Sequence, residues 1–139
     1  MVQYKSNNNI VYSCKYHVVW VTKYRRHVLT ATIETRLKEI IESVAKEIQV
    51  EVLEMEVGEE NHIHLLLSVD PQFGIHKAVK RFKGVSSRYL RKEFPQLKKR
   101  LPTLWTNSYF VSSCGQRLEP HVAPLSKIKE YIENQKRSR

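Results

Sequence analysis

The stretch that decides the reading of this chain is Asn61-His62-Ile63-His64-Leu65-Leu66-Leu67-Ser68-Val69. Its composition predicts a buried β-strand, in which successive side chains point to opposite faces. Ile63, Leu65, Leu67 and Val69 then share the core face. His62, His64, Leu66 and Ser68 share the other. Two imidazoles roughly 7 Å apart on one face of a stiff strand can converge on a single ion or phosphate. A hydrogen-bonded pair of surface histidines is the plainer explanation of the same pattern.

Upstream, Val50 to Val57 reads as a strand with Val50, Val52 and Leu53 inward, and Gly58-Glu59-Glu60 turns it into the histidine strand as a hairpin. Thr32 to Ile48 is an amphipathic helix, with Ile33, Leu37, Ile40, Ile41, Val44 and Ile48 at three- and four-residue intervals. Ile10 to Thr22 reads as one long first strand with its even positions on the core face. Downstream, Asp70-Pro71-Gln72-Phe73-Gly74 breaks the pattern before a helix from Ile75 to Phe94. Pro95 and Pro102 bracket a basic connection, and Leu104 to Cys114 is a fourth strand.

The order β-α-β-β-α-β is the split βαβ, ferredoxin-like α+β arrangement: one antiparallel sheet with both helices on one face. Strands one and three are then central neighbours. The other face is open and carries His62 and His64, with His17 and Lys15 beside them. A body over 1–115, a linker over 116–124 and a C-terminal helix with a basic tail over 125–139 make up the single domain expected at 139 residues.

The formal charge of +10 points to a polyanionic partner, nucleic acid before anionic membrane. No run approaches the roughly 20 apolar residues of a membrane span, and the first residues open no signal peptide, so a cytoplasmic protein is expected. Cys14 and Cys114 make no disulfide framework.

The charge is concentrated. Lys77, Lys80, Arg81, Lys83, Arg88, Arg91 and Lys92 crowd one face of the second helix, and Glu93 is the only acid between Ile75 and Arg100. A merely solvated face carries mixed signs, so contact with a nucleic-acid backbone is the better account. Lys23, Arg25 and Arg26 form a second cluster after the first strand. Gly84 in mid-helix costs about 1 kcal/mol relative to Ala, and a close approach by backbone or phosphate would explain it.

In the last helix, Tyr131 and Gln135 are four residues apart and so lie on one face. A tyrosine is a possible covalent nucleophile, and a glutamine oxygen is a hard ligand able to complete a metal site begun by two histidines. Taken alone, such a tyrosine is more often a docking residue.

His62-Ile63-His64 resembles the His-hydrophobe-His motif of the HUH single-strand endonucleases. The whole series is similar to their smallest members, the single-tyrosine transposases of compact bacterial and archaeal insertion sequences. It comprises Lys15-Tyr16-His17-Val18-Val19-Trp20-Val21-Thr22-Lys23-Tyr24-Arg25-Arg26, Phe82-Lys83-Gly84-Val85-Ser86-Ser87-Arg88, Leu104-Trp105-Thr106-Asn107-Ser108-Tyr109-Phe110 and Tyr131-Ile132-Glu133-Asn134-Gln135, in family order. Asn61 departs from the acid that often precedes the first histidine, so a carboxylate behind it is missing or comes from Glu59 or Glu60. The segment from Gln116 to Pro124, with Pro120, is longer and stiffer than the family's link.

The resemblance implies cleavage and rejoining of hairpin-bearing insertion-sequence ends as single-stranded DNA. Tyr131 would form a 5′-phosphotyrosine, and His62, His64 and Gln135 would hold Mg²⁺ or Mn²⁺. It also implies a homodimer in which Tyr131 of one subunit completes the histidine pair of the other. Three rival functions share some of these features. They are a domesticated relative acting on repeated chromosomal hairpins, a larger replication initiator or relaxase, and an RNA-recognition module that binds without cutting. The last stacks bases on sheet aromatics, where this strand offers Leu66 and two histidines instead.

Overall fold

Asn7 closes a turn ahead of the expected first strand. Its backbone N–H donates to Ile10 O at 2.9 Å, its Oδ1 accepts from Asn9 N and Ile10 N at 2.7 Å each, and its Nδ2 donates to Asp70 at 2.6 Å. The turn pairs β1 (Lys5–Ser6) with β2 (Val11–Tyr12) in a separate small hairpin. The strand expected over Ile10 to Thr22 is broken at Ser13–Cys14, and only β3 (Lys15–Val21) enters the main sheet. The structure is a computed structural model and describes residues 4–114 and 125–137; the linker expected over 116–124 lies outside them.

After β3 come α1 (Ala31–Ile48), β4 (Glu51–Gly58), β5 (His62–Ser68), α2 (Ile75–Glu93), the short α3 (Gln96–Arg100), β6 (Phe110–Ser113) and α4 (Leu125–Glu133). The main sheet is antiparallel in the order β4-β5-β3-β6, so the first and third strands of the split βαβ are the central pair, as expected. Ile33, Leu37, Ile40, Ile41 and Val44 of α1 and Ala78, Val79, Phe82 and Leu90 of α2 are buried. They form one core with Val18, Trp20, Ile63, Leu65 and Leu67 of the sheet. The pleat thus sends alternate residues of β3 and β5 into the helix layer, and a period of two meets a period of 3.6.

Three local expectations change. A register shift between Val52 and Glu54 inserts an extra residue in β4, so Val52, Met55 and Val57 pack on the core while Leu53 sits in the bulge. The fourth strand begins at Phe110, because residues 104–108 are committed elsewhere. Trp105 packs edge-on against Trp20 and donates Nε1–H to Ser86 Oγ at 3.0 Å, and Lys83 takes the carbonyls of Thr106 and Ser108. Finally, the outer sheet face is not open throughout. Ile128 and Ile132 of α4 cover Val19 and Val21. Among the described residues no helix is long and apolar enough to cross a membrane.

Candidate active site

The register aligns Val21 of β3 with His62 and Val19 with His64, and Gly58 and Glu56 of β4 with the same two histidines on their other side. His62 and His64 thus share the outer face, as the strand's parity requires. Each ring has a specific partner. His62 Nδ1 lies 2.8 Å from Asn61 Oδ1, which makes Nδ1 the protonated nitrogen and leaves Nε2 as the free base. His64 Nε2 lies 3.0 Å from His17 Nδ1, with ring centroids 5.2 Å apart. His62 therefore leans towards β4 and His64 towards β3.

Burial holds both imidazoles below the usual histidine range. Glu59 and Glu56 oppose that effect at His62; at His64, His17 adds to it while Glu56 and Glu54 oppose it. At neutral pH both rings are uncharged, the form that ligates a metal. Asn61, rather than a carboxylate of Glu59 or Glu60, orients the His62 ring.

The second group gathers around Ser108. Tyr131 packs on Phe110 of β6 with ring centroids 6.0 Å apart, and its hydroxyl is 2.8 Å from Ser108 Oγ. Ser108 Oγ also lies 3.4 Å from Gln135 Oε1, and Gln135 Nε2 donates to Tyr131 O at 3.1 Å. Burial raises the phenol's pKa, against hydrogen bonds from Ser108 and Thr106. The fold thus brings Tyr131 together with Gln135, as the helical spacing predicts. The sheet row Phe110–Val19–His64 places Phe110, on which Tyr131 packs, two strand spacings, about 10 Å, from the histidine strand. α4 itself lies over Val19 and Val21 of β3, the residues paired with His64 and His62.

Among the described residues no cluster of three or more His, Cys, Asp or Glu is arranged to hold a metal ion. The donors present still fit one: two neutral imidazoles on one strand suit a cation accepting nitrogen, and an amide, water or phosphate oxygen can complete its shell.

The basic residues divide into two kinds. Lys80 and Arg88 are exposed on α2 and line a groove of about 570 Å³ with Lys77 and Arg81. Lys77 lies over the Phe73 ring, Arg88 over Tyr89 and Lys23 over Tyr24, and Arg81 pairs with Glu47. Arg26 is exposed, and Lys15 is half-buried at the start of β3. Gly84 lies between this groove and a second of about 400 Å³, and among the described residues open space stands where a Cβ would be.

Four expected DNA contacts are instead engaged inside the protein. His17 is buried against His64, because β3 is a central strand. Lys83 Nζ donates to Thr106 O at 2.6 Å and Ser108 O at 3.0 Å, and burial lowers its pKa to about 8. Arg91 donates to Pro102 O at 2.9 Å, and Arg25 donates to Glu133 O at the end of α4 at 3.2 Å. The three cations cap backbone carbonyls of loops and of a helix end. No local sequence pattern pairs Ser108 with the tyrosine: only the fold brings residue 108 to residue 131.

The sequence model of the IS200-like transposases matches residues 10–135. The ISDra2 transposase TnpA of Deinococcus radiodurans is 36% identical over 136 residues, spanning 96% of this chain and 92% of that protein. A transposase for insertion sequence element IS200 from Salmonella typhimurium is 30% identical over 133 residues, 94% of this chain and 82% of its own length. The crystal structure of a candidate transposase from Deinococcus radiodurans superposes with a TM-score of 0.83 at 35% identity, covering 96% of this chain and 99% of that one. A REP-associated tyrosine transposase bound to a REP hairpin shares the fold at a TM-score of 0.50 and 12% identity, over 93% of this chain and 68% of that one. With the match spanning most of its length, the chain belongs to the IS200-like transposase family.

Proposed function

We propose that this transposase cuts and rejoins hairpin-bearing ends of an insertion sequence as single-stranded DNA, using Tyr131 as nucleophile. The observation that carries the reading is the shared sheet face: two neutral imidazoles emerge beside the ground on which the Tyr131 helix packs. Tyr131 Oη attacks phosphorus and forms a 5′-phosphotyrosine. The phenolic proton passes to solvent, and the departing 3′ oxygen takes up a proton as a free 3′-hydroxyl. A second 3′-hydroxyl then displaces Tyr131 and reseals the strand, so one phosphodiester is exchanged for another without an external energy source.

A phenol with a raised pKa is a weak nucleophile at neutral pH. His62, His64 and Gln135 are the residues that would hold Mg²⁺ or Mn²⁺, and such a cation, when bound, offsets charge on the non-bridging phosphate oxygens. The family resemblance implies a homodimer in which α4 of one subunit completes the histidine pair of the other. Lys77, Lys80, Arg81 and Arg88 supply backbone affinity, and a protein of the same fold has been seen holding a hairpin.

The test is incubation with hairpin-bearing single-stranded DNA and Mn²⁺, followed by denaturing electrophoresis. A denaturation-resistant protein–DNA adduct that chelation prevents is the expected result. Tight binding with no adduct and no cut strand would make the protein a binding module.

A further inference from the structure

The hairpin between β4 and β5 carries its special residues in the wrong places for a turn. Asn61 N–H donates to Gly58 O at 3.1 Å, and the two central residues, Glu59 (φ 50°) and Glu60 (φ 57°), are both left-handed. A turn with two positive φ values is cheapest with Asn and Gly at its centre. Here two glutamates occupy the centre, in a backbone conformation that side chains with a β-carbon disfavour. The glycine and the asparagine stand one place further out on either side. Gly58 has no positive φ to justify it.

Both displaced residues touch the same ring. A Cβ on Gly58 would lie 2.4 Å from His62 Nε2 and 2.5 Å from Cε1, so only glycine at that position lets the imidazole lie over β4. Asn61 is fully buried, and its Oδ1 accepts the Nδ1 proton of His62 at 2.8 Å. Its Nδ2 has no partner among the described residues, which is costly for a buried donor. Neither residue is the stable choice for the hairpin. Both are the right choice for holding one imidazole in one plane and one tautomer.

We infer that Gly58 and Asn61 are positioning residues that fix the His62 ring across β4 with Nε2 unprotonated, a ligand set before any cation arrives. His64, whose Nε2 is engaged by His17, has no such clamp and is the ring that must turn. The use of His62 as a ligand rests on the function proposed above; its orientation does not.

The experiment reads the ring directly. In the metal-free protein, nitrogen-detected NMR of His62 should show the neutral Nδ1–H tautomer. Asn61→Leu should release the ring into a tautomer mixture and Asn61→Asp should restore it. Gly58→Ala should move the flexible imidazole rather than unfold the hairpin, breaking the Asn61 bond. Mn²⁺ affinity, measured by electron paramagnetic resonance, should fall roughly 10–100-fold in Gly58→Ala and Asn61→Leu and recover in Asn61→Asp. Glu60→Gly, which relieves the turn without touching the ring, should leave tautomer and affinity unchanged. An Nε2–H tautomer in the wild type, or a wild-type signature retained in both Gly58→Ala and Asn61→Leu, overturns the inference. The expected tautomers together with no Mn²⁺ binding by the wild type would support the orienting role and defeat the metal reading alone.

Discussion

The hydroxyls of Tyr131 and Ser108 lie 2.8 Å apart, and that contact holds the proposed nucleophile beside Phe110 of β6, on the sheet face that carries His62 and His64. Arg25 caps the C-terminus of the same helix by donating to Glu133 O, two residues beyond Tyr131. α4 is thus held at its apolar face, its tyrosine and its C-terminus.

Exchange of α4 between subunits makes a clear prediction. Tyr131→Phe and the double variant His62→Ala/His64→Ala should each be inactive alone. Mixed and allowed to exchange, they should regain cleavage, since one composite site then combines an intact Tyr131 with an intact histidine pair. No recovery, after exchange has been verified by differential labelling, means that the helix completes the site of its own chain.

Removing the histidines should separate cutting from binding. His62→Ala or His64→Ala should abolish Mn²⁺-dependent cleavage while hairpin affinity stays within a few-fold, because backbone contacts dominate it. Gln135→Ala should be milder, since water can replace one oxygen donor. Gel-shift and cleavage assays on the same preparations check both; a parallel loss of binding would count against the metal assignment.

The cations of α2 that line the groove should behave differently from those that cap backbone carbonyls. Neutralising Lys77, Lys80 and Arg88 together should flatten the salt dependence of hairpin binding by about 2–3 units of slope, given about 0.7–0.9 per phosphate contact. Lys83→Met should instead lower thermal stability, because it strips two carbonyls of their donor. An unchanged slope in the triple variant would return that face to solvent.

Acid should destabilise the metal-free protein through the same histidines. Their folded pKa values lie below the usual value near 6.5. Above about pH 6.5 both states are neutral there and the contribution is complete. As pH falls through the lowered folded values, the unfolded chain takes up protons first and stability declines. Urea unfolding between about pH 7 and pH 5 should show this loss, and a His62→Asn/His64→Asn variant should show less of it.

How far the sequence could be read depended on whether a feature was periodic. The alternation through Ile63, Leu65 and Leu67 determines the face of His62 and His64, and the spacing of Tyr131 and Gln135 determines their shared side. Those readings agree with the described structure. The turn at Asn7 that draws Val11–Tyr12 into a separate hairpin was not legible, because Asn7 is tied to Asp70, 63 residues away. Lys83, Arg91 and Arg25 look like surface cations in sequence. They prove to be carbonyl caps, because their acceptors lie on loops whose path only packing decides. Gly58 passed for a turn glycine until the positive φ values appeared at Glu59 and Glu60 instead.

The proposed chemistry requires that Tyr131 become covalently joined to DNA. Proteolysis and mass spectrometry of the Mn²⁺-dependent adduct should place a nucleotide-sized mass on the peptide containing Tyr131, and Tyr131→Phe should yield no adduct while binding the hairpin within a few-fold of wild type. An adduct that persists in Tyr131→Phe, or maps to Tyr109 or Tyr89, would contradict the account.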